Sequence, residues 1–89
     1  ACIASDRITV DGMRVGYCYR EHPDNDVDSG WRFLAGDESP EYMDDASKHA
    51  FYDINTIANY DRSIVLIISE PAPCQFERGA DDRLLPVRD

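Results

Sequence analysis

Residues 28–45, DSGWRFLAGDESPEYMDD, carry the strongest structural signals in this sequence. They contain its only tryptophan, and they begin with an alternation that places Trp31 and Phe33 on one side and Arg32 on the other. A period of two is typical of a half-buried strand, which Gly36 would end. We therefore predict a strand here and interpret the rest of the chain as the scaffold that presents this segment.

The second half of the segment predicts a short helix. Ser39 followed by Pro40 fits an N-cap and a first helical residue, since the N–H that proline lacks would have no acceptor at that position. Acidic residues at 37, 38 and 41 lie near the positive end of the helix dipole. We expect this helix over about residues 40–45.

Two extended runs precede the segment. Residues 2–12 are rich in β-branched side chains and close on the turn dipeptide Asp11–Gly12. Residues 13–20 have apolar side chains at 13, 15, 17 and 19, which predicts a half-buried strand with those positions on one face. We expect the two runs to form a hairpin, followed by a solvated loop over 21–30.

The second half of the chain predicts shorter elements. A brief strand over 50–54 precedes a short helix with apolar residues at 54, 57 and 58. The apolar run 64–68 fits either a strand or a short helix. Residues 75–78 and 83–87 predict two strands joined by a turn, with the last strand at a sheet edge because it contains Pro86.

These elements describe an α+β fold in a single domain over residues 1–89. We predict an antiparallel sheet of about four to six strands with one or two short helices. The chain has 89 residues, of which 43% are hydrophobic and 30% charged, as in ordinary globular domains that bury one core.

The net charge of -9 is concentrated in one part of the chain. Residues 21–45 contain a single basic residue, Arg32, and nine acidic ones: Glu21, Asp24, Asp26, Asp28, Asp37, Glu38, Glu41, Asp44 and Asp45. Such a field repels nucleic acid and anionic membranes, and it favours basic partners or cations. We therefore expect no nucleic-acid and no membrane partner.

The cysteines and the apolar runs indicate a cytoplasmic protein. No run approaches the roughly 18–20 apolar residues that cross a bilayer. Cys2, Cys18 and Cys74 form no C-x-x-C pair, which argues against a disulfide framework or a structural zinc site and favours reduced cysteines in the core.

A calcium loop is one alternative for the acidic region. Asp24, Asp26 and Asp28 occupy alternate positions, from which carboxylates can converge on one hard cation. The EF-hand pattern is incomplete, because the glycine and glutamate that it requires are replaced by Ser29 and Ala35. A solvated acidic loop or a partner-binding loop explains the same residues.

An uncharacterised enzyme is the other alternative. Cys18 with His22 or His49 would be a thiol nucleophile with its base, but a spacing of four on a strand does not bring Cys18 and His22 together. The carboxylate pairs 37–38 and 44–45 fit solvated helix-start residues better than a general acid and base. The sequence contains no G-x-S-x-G, H-E-x-x-H, P-loop or dinucleotide-binding motif. We assign no catalytic residue and no cofactor.

Trp31 and Arg32 each have two possible roles. Trp31 fits a core residue, although tryptophan is also common at binding hot spots. Arg32 points to the opposite face, where it either faces a partner or pairs internally with Asp28 or Asp37.

Several segments resemble a small bacterial immunity-protein family first catalogued as a domain of unknown function. The similarity runs from about residue 2 to 87 and rests on YRE at 19–21, PDNDVDSGWRFLAGDE at 23–38, EYMD at 41–44, YDINTIANYD at 52–61 and FER at 76–78. The resemblance implies an α+β fold and a role in polymorphic toxin systems, in which an immunity protein binds and silences a toxin. The family's tryptophan and arginine correspond to Trp31 and Arg32.

Charge and resemblance together suggest a binding surface for a cognate toxin, one with a basic cleft such as a nucleic-acid-handling enzyme presents. The candidate partner-binding residues are Trp31, Arg32, Asp37, Glu38, Glu41, Asp44 and Asp45.

Overall fold

The computed structural model describes residues 1–23 and 28–87, and its framework is one six-stranded sheet. The strands are β1 (Cys2–Ser5), β2 (Tyr17–Arg20), β3 (Trp31–Leu34), β4 (His49–Tyr52), β5 (Cys74–Arg78) and β6 (Leu84–Pro86). Their spatial order is β4-β1-β3-β2-β5-β6, so β4 and β6 form the two edges. The helices are α1 (Asp6–Thr9), α2 (Pro40–Asp44) and α3 (Ile54–Tyr60), with 3₁₀ helices over Ala46–Lys48 and Arg62–Leu66.

The α+β class and the strand number are confirmed, but the sheet is mixed. β1 runs parallel to β3, with Ile3 opposite Arg32, while the other four pairings are antiparallel. The expected hairpin between residues 2–12 and 13–20 is wrong. β1 ends at Ser5, whose hydroxyl accepts a hydrogen bond from the Arg7 N–H and caps α1. We did not predict α1, and it brings the number of α-helices among the described residues to three, one more than we expected.

One face of the sheet carries the core. The side chains on this face come from alternate positions of the strands. They pack against apolar side chains of the helices and of the segment before β2. The sheet contributes Cys2, Ala4, Cys18, Trp31, Phe33 and Phe76, and the rest of the core contributes Ile8, Val15, Ile57, Ile64 and Ile67. We call the opposite side, which carries Ile3, Tyr19 and Phe51, the outer face.

The face predicted for residues 13–20 is only partly correct. Val15 is buried, but Cys18 is the buried residue of β2, while Tyr17 and Tyr19 are half-buried on the outer face. The regular strand begins only at Tyr17, so the alternation does not continue through Gly16. Met13 is exposed.

Trp31 is a core residue, as one of its two predicted roles required. Its ring is fully buried, stacks on Phe33 with 5.6 Å between ring centroids, and lies 6.3 Å from Phe76. The indole N–H donates to the Ile68 carbonyl at 3.1 Å, so the buried polar atom has a partner. Trp31 has no exposed surface to offer a partner.

Local signals located the later elements well. α2 begins at Pro40, and the Ser39 hydroxyl accepts from the Tyr42 N–H at 3.1 Å, as an N-cap does. β4 begins one residue before the predicted start, and the run 64–68 overlaps a 3₁₀ helix. β6 is an edge strand, as Pro86 required.

A buried ion pair ties the end of the chain to the middle of the fold. Arg78 on β5 donates to Asp61 at 2.6 Å and to the Val15 carbonyl at 2.9 Å. Asp61 also accepts from the Val15 N–H at 2.9 Å and from Ser63. Burial alone would raise the pKa of Asp61, but hydrogen bonds from Ser63 and Val15 and the charge of Arg78 lower it.

Candidate functional site

Arg32 is held by acids of its own chain. Its guanidinium donates to both carboxylate oxygens of Asp28, at 2.9 and 2.7 Å, and to Glu21 at 3.0 Å. The side chains of Arg32 and Asp28 are mostly buried. Hydrogen bonds from Arg32, and then from the Gly30 N–H, lower the pKa of Asp28 to about 2. The internal pairing of Arg32 with Asp28 is confirmed, and the pairing with Asp37 is wrong because Asp37 pairs with Arg7.

Ser29 and Gly30 set the entry into β3. The Ser29 N–H and hydroxyl both donate to the Ala1 carbonyl, at 2.7 and 2.6 Å. Gly30 has φ +87°, and a Cβ there would lie 2.0 Å from the carbonyl oxygen of Glu21. The residues DSGWRF at 28–33 thus act within the chain, where they fix the start of β3.

Two of the predicted acids also act inside the fold. Glu38 accepts from the N–H groups of Ala35 and Gly36, each at 2.8 Å. Burial would raise the pKa of Glu38, but these bonds and one from the Ser5 hydroxyl lower it. Asp37 accepts from Arg7, with 3.1 Å between Nε and Oδ1, which holds its pKa below the usual value.

The remaining acids of the cluster are exposed. Asp45 accepts from the hydroxyl and then the N–H of Ser47, and these bonds lower its pKa. Glu41 and Asp44 form no ion pair with any residue in 1–23 or 28–87. The structure therefore separates the seven candidate residues into four that are buried or bonded within the chain, namely Trp31, Arg32, Asp37 and Glu38, and three exposed acids without an ion pair among the described residues, Glu41, Asp44 and Asp45. Asp37 is exposed as well, but it pairs with Arg7.

The calcium alternative receives no support from the described residues. Asp24 and Asp26 lie outside them, and the carboxylate of Asp28 is bound by Arg32. Within the parts of the chain that the structure describes, no three potential ligand side chains are close enough to hold a metal ion.

The thiol alternative meets a chemical obstacle. Burial raises the pKa of Cys18 to about 12 and that of Cys2 to about 11, so neither forms a thiolate readily near neutral pH. His22 is exposed while Cys18 is fully buried, so the two do not share one environment. All three cysteines are free, and Cys2 and Cys18 lie in the core as predicted, whereas Cys74 is only partly buried.

Sequence reasoning missed an apolar surface at the β4 edge. Phe51 is 67% exposed on the outer face, opposite Ile3 in the neighbouring strand. A depression of about 210 Å³ lies beside it, and Ile3, Ala46, His49, Ala50 and Phe51 line it. We call these five residues the β4 patch. The sequence does not indicate that Phe51 is exposed, because an aromatic residue in a short strand is most often buried.

A larger depression, of about 460 Å³, lies across β2 and β5. Tyr17, Tyr19, Arg20, Glu21 and Gln75 contribute to its lining. Two of its polar side chains have partners within the chain: the Tyr17 hydroxyl donates to Gln75 at 2.8 Å, and Arg20 donates to the carbonyls of Ser29 and Glu70. Charges of both signs line this depression.

Comparison with known proteins assigns a family. Every helix within residues 1–23 and 28–87 is too short and too polar to cross a membrane. Neither the curated proteins nor the solved structures include a significant match to this chain. Residues 2–88 match the family model described as the Immunity protein Imm33 domain. This match covers nearly the whole sequence, and the chain therefore belongs to the Imm33 family of immunity proteins.

Proposed function

We propose that this chain is a non-catalytic immunity protein of a polymorphic toxin system, which binds a cognate toxin and silences it. The observation that carries the proposal is the family match over residues 2–88. The surface is consistent with binding, since an exposed aromatic residue and exposed carboxylates lie on neighbouring elements. Silencing would follow from occupying the toxin's active cleft.

The charge favours a basic toxin. The chain carries -9, and the acids at 41, 44 and 45 remain exposed after the internal pairs have formed. Opposite charge on a partner accelerates association and orients the encounter. The toxin surface that this protein covers would therefore be positively charged, as in an enzyme that handles nucleic acid.

Co-expression tests the function directly. The toxin domain encoded by the gene immediately upstream should kill cells when expressed alone, and this chain should restore their growth. The purified proteins should form a complex measurable by calorimetry. A toxin that kills equally well with this chain present, and that shows no binding, would overturn the proposal.

Salt dependence tests the charge argument separately. Raising NaCl from about 0.05 to 0.5 M should weaken binding through slower association, because screening shortens the range of the field. Glu41→Gln, Asp44→Asn and Asp45→Asn together should weaken binding and flatten the salt dependence. Unchanged affinity in this triple variant would remove the electrostatic part of the proposal and leave toxin binding itself in place.

The free thiols fit a cytoplasmic location. All three cysteines, Cys2, Cys18 and Cys74, lie in the part of the chain that the structure describes, and each is free. Free, buried cysteines are common in compartments that keep thiols reduced. We propose that the protein acts in the cytoplasm, where it would protect the cell that makes the toxin.

A further inference from the structure

We propose that the β4 patch is the docking surface for the toxin, and that its occupant is an extended, positively charged segment of the toxin. This segment would lie along β4 and insert an apolar side chain into the depression. The inference rests on the proposed function, because it names where and how the toxin binds.

Phe51 provides the apolar contact. Its ring is 67% exposed, whereas the other two phenylalanines, Phe33 and Phe76, are buried in the core. The depression beside it is lined by apolar side chains apart from His49. A large aromatic residue next to an apolar depression is a common feature of binding hot spots, since a partner side chain can be desolvated there.

The backbone of β4 favours an extended occupant. Among the described strands, β4 pairs only with β1, so it presents a row of unpaired backbone groups at the sheet edge. An incoming strand can pair with such an edge, while pockets for alternate side chains provide specificity. In this chain, the depression supplies such a pocket on the outer face.

The charge around the patch selects a basic occupant. α2 contacts the 3₁₀ helix Ala46–Lys48, and this helix contacts β4. Glu41, Asp44 and Asp45 precede the strand and Asp53 follows it, against a single base, Lys48. Asp37 pairs with Arg7, and Glu38 accepts from the backbone N–H groups of Ala35 and Gly36, so neither carboxylate is free to contact a partner.

His49 supplies a polar group that lacks a partner. Its Nδ1 lies 3.1 Å from the Asp45 carbonyl, which can only accept, so Nδ1 carries the proton and Nε2 is left as an acceptor in the neutral ring. Nε2 is buried and has no hydrogen-bond partner among the described residues. Because His49 also lines the depression, a donor on the inserted segment could reach Nε2 only if the side chains that cover it shift on binding.

The larger depression on β2 and β5 is the weaker candidate. Its Tyr17 hydroxyl and Arg20 guanidinium are bonded within the chain, and the charges of Arg20 and Glu21 have opposite signs. It lies on β2 and β5, three and four strands away from β4, which is about 14–19 Å by strand spacing alone. The two surfaces can therefore be tested independently.

Paired substitutions test the assignment. The probe is the inactivated toxin domain encoded by the gene immediately upstream, and the readout is its Kd for the full chain by calorimetry. Phe51→Ala should weaken binding by at least about thirtyfold, as expected for a hot spot. The control is Leu85→Ala, which removes an exposed apolar side chain from β6 and should change the Kd less than about threefold.

Charge reversal provides a second comparison. Glu41→Lys with Asp44→Lys should slow association, whereas Glu77→Lys, an exposed acid on β5, should have a smaller effect. Thermal unfolding of each variant identifies any that fail to fold. If Phe51→Ala fails to fold, Phe51→Ser is measured in its place.

Each outcome decides the inference. Selective loss with the β4 variants supports it. If the wild-type chain binds and neither Phe51→Ala nor Phe51→Ser changes the Kd, the β4 assignment is overturned. The same holds if Leu85→Ala weakens binding instead. In both cases the proposed function stands. Failure of the wild-type chain both to bind and to protect overturns the proposed function, and the docking assignment with it.

Discussion

Asp28 and Gly30, just before β3, are each held in place by a few specific contacts within the chain. The carboxylate of Asp28 binds both the Arg32 guanidinium and the Gly30 N–H, and Gly30 passes so close to Glu21 that no side chain fits. A partner could contact these residues only by breaking the intramolecular contacts that stabilise the fold. The motif that carries the family resemblance therefore specifies the fold, and we expect partner choice to depend on exposed residues such as Phe51.

Gly30→Ala should be strongly destabilising. The substitution adds both the strain of a positive φ and a clash with the Glu21 carbonyl, together roughly 3 kcal/mol or more of the free energy of unfolding. Gly12→Ala is the matched control, because Gly12 has φ +76° but no atom within 4 Å of an added Cβ. It should cost only about 1–2 kcal/mol. Urea denaturation measures both, and equal losses would contradict the clash argument.

Asp28 should contribute to acid sensitivity. Its pKa is about 2 in the folded protein against 3.8 for the free side chain, so its stabilisation is present above about pH 4 and is lost as the pH falls toward 2. The stability difference between wild type and Asp28→Asn should be largest above pH 4 and shrink below it. Urea midpoints at several pH values measure this difference. A difference that stays constant with pH would contradict the assigned pKa.

At the scale of elements, local signals and distant pairings behave differently. The strand at Trp31 and the helix at Pro40 follow from alternation and capping, which depend on neighbouring residues, and both predictions are confirmed. The hairpin prediction failed because β1 pairs with β3 and β4, which follow it by more than 25 residues. No periodicity within residues 2–12 encodes that choice.

The candidate site was predictable to a similar degree. The charge count located an acidic region, and alternation correctly placed Arg32 opposite the buried Trp31. It could not show that Arg7 binds Asp37 or that Glu38 binds backbone N–H groups, because these contacts depend on tertiary structure. The exposure of Phe51 likewise follows from the edge position of β4 and not from its local sequence.

The ion pair that joins β5 to the segment after α3 should be essential for stability. Asp61→Ala leaves the Val15 N–H without its acceptor and removes the buried carboxylate that pairs with Arg78, which should cost about 3–5 kcal/mol. Adding Arg78→Met should recover part of the loss, because it removes the uncompensated charge. Asp37→Ala breaks an exposed pair with Arg7 and should have a much smaller effect. Urea unfolding compares the three variants, and a small loss for Asp61→Ala would contradict this role.

At the scale of the whole molecule, the core and the charge are separated. One apolar core joins the sheet to α1, α3 and the 3₁₀ helix Arg62–Leu66, whereas the described acids Asp37, Glu41, Asp44 and Asp45 are exposed outside it. Such a domain can present a strong field without destabilising its core with unpaired charge. Stability and partner attraction should therefore be separable by mutation, as the substitutions at Asp61 and Glu41 would show.

The three cysteines provide a test of whether the fold opens as one unit. Cys2 on β1 and Cys18 on β2 belong to the same core, and both are fully buried with pKa values raised by burial, whereas Cys74 is partly exposed. At pH 8 without denaturant, a thiol reagent should modify Cys74 first. Cys2 and Cys18 should react only when the whole domain unfolds, so their rates should rise together with urea and follow the free energy of unfolding. Mass spectrometry of peptides after timed labelling separates the three sites, and Cys74→Ser isolates the buried pair. If Cys2 reacted well before Cys18, the β1 side of the sheet would open separately, and the single-core description would be wrong.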